Sequence, residues 1–265
     1  MIKWLGGKRH LMPDLIGNLP DSFNRYLEPF VGGGALFFNL HRENSYISDM
    51  NEELINLYEV VRDSVGDLIG DLGSHKLSKE YYLRIRNLDR SAEYSRLSRV
   101  QRASRFVYLN RTCFNGMYRV NSKGHFNVPY GRYKNPRILD EQNLINCSRL
   151  LQRTEIRCED FRQVLYQARK GDFVYFDPPY VPLSATSSFT SYTSGGFDLE
   201  MQRRLSEVCD ELDGMQVKFM LSNSDSEFVA KTYSKYRIQR VYACRAVNSN
   251  AAGRGKISEV LIRNY

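Results

Sequence analysis

The chain has 265 residues, 42% of them hydrophobic and 26% charged, with a formal net charge of +8. That length buries a full core in one large domain or in one domain with a substantial insertion, and the composition excludes an intrinsically disordered chain. No apolar run is long enough to span a membrane and no secretory leader is read at the amino terminus, so a cytoplasmic location, in a bacterial or phage-infected cell, is expected.

The amino-terminal run Lys3-Trp4-Leu5-Gly6-Gly7-Lys8 holds the only tryptophan. Chain ends are usually unstructured. A Trp beside paired glycines therefore reads either as a surface something docks on or as a hydrophobic anchor to the core. Arg25–Phe30 is the first predicted strand, and it runs into Glu28-Pro29-Phe30-Val31-Gly32-Gly33-Gly34-Ala35. Glycines placed after a strand let the backbone turn tightly and approach a ligand ahead of the next helix. No Gly-Lys-Ser/Thr follows, which excludes a P-loop. A second strand, Tyr46–Ser48, ends at Asp49, where an acid can accept hydrogen bonds from ribose hydroxyls. Asn51–Asp63 then reads as a helix capped by Asp49 or Asn51. This half favours a nucleotide site and leaves a dinucleotide open as its ligand.

From about Leu77 to Leu151 the strand–helix alternation breaks, and residues 77–151 read as an inserted, mainly helical domain with a hairpin at about 114–137. Residues 1–76 and 152–265 form the flanking α/β domain. Between Arg84 and Arg137 lie thirteen Lys or Arg and only two acids, Asp89 and Glu93. A solvated helix face usually mixes both signs, so this asymmetry favours phosphate contact. Within it, Asn110-Arg111-Thr112-Cys113-Phe114-Asn115-Gly116-Met117-Tyr118-Arg119 and Phe126-Asn127-Val128-Pro129-Tyr130-Gly131-Arg132-Tyr133-Lys134 alternate Arg, Asn and rings. Such residues read guanine and adenine edges or wedge into a base stack; the bland reading is a polar hairpin with aromatics packed beneath.

Strands are predicted at Glu155–Cys158, Phe173–Phe176, Val217–Leu221, Ile238–Tyr242 and Ser258–Ile262, with helices over Asp160–Arg169 and Leu199–Leu212. The alternation implies a mostly parallel sheet with helices on both faces. The last two strands lack a helix-length spacer and are predicted to pair antiparallel. Asp177-Pro178-Pro179-Tyr180 follows the apolar strand Phe173-Val174-Tyr175-Phe176. Two prolines cannot continue a central strand, so the chain leaves the sheet at its carboxyl edge, where α/β sheets bind ligands. An acid, a rigid carbonyl-bearing turn and a ring suit a flat amino-bearing heterocycle; a strand-ending turn with an incidental Asp is the alternative. Five scattered cysteines without C-x-x-C spacing fit reduced thiols, four scattered histidines make no cluster, and no metal is expected.

Taken together, these motifs resemble the Dam-type DNA adenine-N6 methyltransferases of the D12 class, in the order glycine motif, recognition domain, DPPY. The likeness spans nearly the whole chain and includes Ser48-Asp49-Met50-Asn51 and Pro182-Leu183-Ser184-Ala185-Thr186. One departure is Ala35, where many members have Ser. The resemblance implies a Rossmann-like methyltransferase sheet, S-adenosyl-L-methionine (SAM) as methyl donor, double-stranded DNA as partner and GATC as target. It implies a monomer in solution, with more than one copy able to load on DNA. By position, Trp4, Lys8, Phe30, Gly32, Gly34, Asp49, Asp160, Phe161 and Asp177 would bind SAM. Asp177, Pro178, Pro179 and Tyr180 would form the catalytic turn. Lys3, Arg111, Phe114, Asn115, Met117, Arg119, Asn127, Pro129, Arg132 and Tyr133 would contact DNA, with Phe114 in the place of an intercalating aromatic that is commonly Tyr. Two rivals share parts of this pattern: a SAM-dependent methyltransferase of RNA or protein, and a methylase-like DNA-binding protein without catalysis.

Overall fold

The structure is a computed structural model and describes residues 2–4, 6–181, 197–244 and 256–265. Its sheet has seven strands: β1 (Tyr26–Glu28), β2 (Ser45–Asp49), β3 (Thr154–Cys158), β4 (Phe173–Phe176), β5 (Lys218–Ser224), β6 (Arg237–Cys244) and β7 (Lys256–Arg263). They lie in the order β3-β2-β1-β4-β5-β7-β6. The first five are parallel, and β7 runs antiparallel between β5 and β6. Every predicted strand is present, and the closing pair is antiparallel because no crossover helix separates it. The chain winds outward from β1 through β2 to β3, then restarts at β4 on the other side of β1. That reversal opens a crevice at the carboxyl ends of β1 and β4.

Ten helices flank this sheet among the described residues: α1 (Met12–Gly17), α2 (Ala35–Leu40), α3 (Glu52–Asp63), α4 (Val65–Gly73), α5 (Lys79–Asn87), α6 (Arg99–Thr112), α7 (Glu141–Leu151), α8 (Val164–Gln167), α9 (Leu199–Gly214) and α10 (Glu227–Thr232). Both sheet faces are covered, and β4 shows why its sequence is continuously apolar. Phe173 and Tyr175 enter one buried cluster with Leu54, Leu57 and Phe106, while Val174 and Phe176 enter the other with Leu205 and Leu212. Asn51 caps α3, its Oδ1 accepting from the Leu54 N–H at 3.1 Å.

Asp160–Arg169 is not one helix. Asp160 caps a 3-10 turn, Phe161–Gln163, and α8 stops after four residues. Asp172 accounts for the stop: its carboxylate accepts the backbone N–H of Arg169 at 3.0 Å and of Arg25 at 3.1 Å, turning the chain into β4.

Helix α6 faces two ways. Ala103, Phe106 and Val107 join the buried cluster of α3 and α4, whereas Tyr108 and Leu109 pack with Tyr82, Phe126 and Val128 beneath the aromatic loop. The loop has a narrow neck. Phe114 N–H donates to the Pro129 carbonyl and Gly131 N–H to the Thr112 carbonyl, both at 2.8 Å. Farther out, Val120 bridges Phe126 and Asn121 N–H bonds the His125 carbonyl at 2.9 Å. Asp89 and Arg90 clasp the outgoing arm at Phe126: the Asp89 carboxylate accepts its N–H, and Arg90 donates to its carbonyl, each at 2.7 Å.

Candidate active site

Strand β4 ends where Pro178 and Pro179 can no longer donate to the ladder, and Asp177 stands at that edge with its side chain 22% exposed. Lys8 is buried and pairs with Asp177 Oδ1 at 2.8 Å. The same Nζ donates to the Gly6 carbonyl at 2.8 Å and sits 4.6 Å over the Tyr180 ring. Tyr180 in turn donates its hydroxyl to Glu259 Oε2 at 2.5 Å. Burial pushes the Asp177 carboxyl up from its ordinary value, Lys8 pulls it back and Glu259 adds to the rise. Burial raises the Tyr180 phenol as well, assisted by Asp177 and Glu259.

The glycine turn lies across the crevice. Asp49 closes it, Oδ2 accepting the Gly32 N–H at 3.1 Å and Oδ1 the Asn51 N–H at 3.0 Å. Tyr58 donates to the Gly32 carbonyl at 2.8 Å. Gly32 has φ +45°, and a Cβ there would fall 2.7 Å from the Trp4 indole; Gly34 has φ +63° and no room beside Tyr58 and Phe38. Trp4 therefore lies on the turn, and its other neighbours are Phe106 and Tyr118 of the insertion, stacked at 6.3 and 5.7 Å. Glu28 ends β1 beneath the turn, fully buried, with Tyr26 and the Phe37 N–H both donating to Oε2. Burial lifts its carboxyl to about 8, and the nearby Asp177 and Asp49 add to the rise.

Phe30 and Phe161 stack on each other at 5.3 Å, and Phe197 meets both rings. Asp160 beside them is tied to Arg162 at 2.6 Å. Two carboxylates (Asp49, Asp177), an aromatic pair and a turn too tight for side chains thus converge on the crevice, with the Glu28 carboxyl buried and protonated at neutral pH beneath them. These groups fit a cationic sulfonium nucleoside: carboxylates for its charge, an acid at a strand end for a ribose, rings for a base.

The basic face is adjacent. The Lys3 backbone is held at both ends by one side chain, Asn110, which accepts its N–H at 2.9 Å and donates to its carbonyl at 2.8 Å. Asn110 also donates to the Gly116 carbonyl at 2.9 Å, and Lys3 Nζ lies 5.2 Å over the Tyr133 ring. Phe114, Asn115, Arg119, Pro129 and Arg132 are exposed, Phe114 to 48%. Met117, Asn127 and Tyr133 are half-buried, and Arg119 donates to Asn127 Oδ1 at 2.7 Å. Arg111 stands apart from this group: half-buried near Asp140, Arg137 and Arg9, its guanidinium is shifted down chiefly by burial. Pro182-Leu183-Ser184-Ala185-Thr186 lies outside the described residues. Among the described residues no cluster of His, Cys, Asp or Glu could hold a metal.

Glu259 and Asn110 were not singled out by sequence reasoning. The signal for Glu259 was a lone acid in the apolar run Ile257 to Ile262; Asn110 stood in a quoted motif, but nothing local points it at Lys3.

Known proteins match the chain along nearly its whole length. The family model described as D12 class N6 adenine-specific DNA methyltransferase matches residues 4–247. The chain is 46% identical to Type II methyltransferase M1.LlaDCHI of Lactococcus lactis subsp. cremoris, over 99% of this chain and 94% of that protein. It is 44% identical to Type II methyltransferase M.MjaIII of Methanocaldococcus jannaschii, over 100% and 98% of the two chains. A DNA adenine methylase of Serratia marcescens is 35% identical, with 98% and 96% covered.

Proposed function

The chain belongs to the D12 class of N6 adenine-specific DNA methyltransferases, acting on adenine in DNA, and on that premise we propose that it methylates a flipped-out adenine within GATC, using SAM. The observation that carries this reading is the Asp177–Lys8–Tyr180–Glu259 group at the end of β4, facing the glycine turn and bordered by the basic loop.

The adenine amino group is a poor nucleophile because its lone pair is delocalised into the ring. Asp177 and the Pro178 carbonyl accept its two N–H bonds, and the nitrogen turns toward sp³ with its lone pair free. Lys8 occupies Asp177 Oδ1, which leaves Oδ2 for the amine. Tyr180 stacks on the base; its hydroxyl is anchored by Glu259. When bound, SAM supplies an electrophilic methyl group. Trp4, Lys8, Phe30, Gly32, Gly34, Asp49, Asp160 and Phe161 hold it, Asp49 through the ribose and the ring pair beside the adenine moiety. The task is alignment and electrostatics, and the chain needs no covalent intermediate. After transfer the cationic nitrogen loses its proton to solvent, so Asp177 need not act as a strong base.

A base inside a duplex cannot reach this crevice, which is why the adenine must leave the stack. Phe114 wedges into the gap it leaves. Lys3, Met117, Arg119 and Pro129 read the target bases, and Arg111, Asn115, Asn127, Arg132 and Tyr133 hold the backbone and loop in register.

Labelled SAM with two matched duplexes, one carrying a single GATC and the other GTAC, tests the reading. N6-methyladenine in the GATC duplex alone is expected. Label in both discards the target, and label in neither, with SAM still bound, points to a different acceptor or to a reader without catalysis.

A further inference from the structure

Two buried amides hold the catalytic turn from behind. Asn223 on β5 is fully buried and Gln202 on α9 is 1% exposed. Their orientations follow from the donors around them. Asn223 Oδ1 accepts the backbone N–H of Ser224 at 2.8 Å and of Val181 at 3.3 Å. Its Nδ2 must then face Gln202, donating to Oε1 at 3.0 Å. Gln202 is left with Nε2, which donates to the Pro179 carbonyl at 2.7 Å. Reversing either amide would set donor against donor or acceptor against acceptor. Among the described residues, nothing donates to the Pro178 carbonyl.

We propose that Gln202 and Asn223 are positioning residues for methyl transfer, which pin Pro179 and Val181 so that the Pro178 carbonyl is aimed at the substrate amine. The proposal rests on the reading of Asp177 and the Pro178 carbonyl as the two acceptors. A proline ring fixes φ, leaving ψ as the soft angle of Pro179. Gln202 fixes that ψ by holding the Pro179 carbonyl. With both angles of Pro179 set, the peptide before it, which carries the Pro178 carbonyl, is oriented too. Asn223 holds the far side of Tyr180 through Val181, so the ring and the carbonyl share one support.

The test is single-turnover methyl transfer to a target duplex at saturating SAM. A Gln202→Met variant keeps the volume and loses the donor. Its rate should fall roughly 10–100-fold, since small misplacements of a reacting group cost that much, while affinities for SAM and duplex stay within a few-fold. Gln202→Glu supplies the donor only when protonated, so its rate should climb as pH falls from about 8 to 6, unlike the native enzyme. Unfolding midpoints at each pH separate a slow turn from a loose fold, and this second variant decides the matter if Gln202→Met does not fold. A folded Gln202→Met at the native rate, or a Gln202→Glu profile like the native one, overturns the proposal. A native enzyme that transfers no methyl to adenine N6 brings down the acceptor reading, and this proposal with it.

Discussion

Asp177 is paired with Lys8, and in the proposed reaction the same carboxylate must also answer to the substrate amine. Asp177→Ala is expected to abolish methyl transfer while leaving duplex binding nearly intact, because phosphate contacts dominate affinity; loss of binding in a folded variant would refute the assignment. Glu28 makes a separate forecast. Its carboxyl stays protonated up to about pH 8 in the fold but ionises near 4.5 in an ordinary setting. The folded state therefore binds the extra proton, and stability falls as pH rises from about 4.5 to 8, then levels. Burial shifts Asp49 and Asp177 in the same direction. Melting of the ligand-free protein across that range should show this slope, shallower in Glu28→Gln. A cationic ligand offsets the clustered carboxylates, so SAM should stabilise the protein more at pH 8 than at pH 6. Equal midpoint shifts at both would refute that charge match.

At the level of elements, the central strands were legible because both faces of the sheet are covered and runs such as Phe173–Phe176 are short and apolar throughout, whereas the edge strand Thr154–Cys158 carries Glu155 and Arg157. The DPPY and glycine turns were legible because proline restricts its own backbone and glycine frees it wherever they occur. What escaped were side chains that matter only across the fold: Glu259 reaches Tyr180 over 79 residues, Asn110 reaches Lys3 over 107, and Gln202 reaches Pro179 over 23. Such pairings are set by strand order, which no local pattern carries. The misjudged helix over Asp160–Arg169 failed likewise, through the contact of Asp172 with Arg25. The aromatic loop belongs at this scale too. Arg119 is braced by Asn127, and Arg119→Ala is expected to cost roughly 1–3 kcal/mol of discrimination at its base. Methylation rates on substituted sites measure it, and unchanged selectivity would refute the role.

Across the whole molecule, thirteen cations crowd one stretch of a chain whose remainder is slightly acidic. Binding to DNA should weaken steeply with salt, log K falling linearly with log salt in proportion to the phosphates engaged. Arg132→Ala, if it removes one such contact, should lower that slope by about 1 while leaving sequence preference alone; an unaltered slope would place Arg132 off the backbone. Within that stretch the aromatic loop leaves α6 and returns through a neck at Thr112–Phe114 and Pro129–Gly131, whose arms are joined by two backbone hydrogen bonds. Closure there is achieved by the neck itself, but the loop beyond it is also tied down, by Asn110 at Gly116 and by Asp89 and Arg90 at Phe126. A foreign loop grafted between those two bonds must therefore bring residues that meet the same clasps, so recombination at two points can change the target word only between loops that share them.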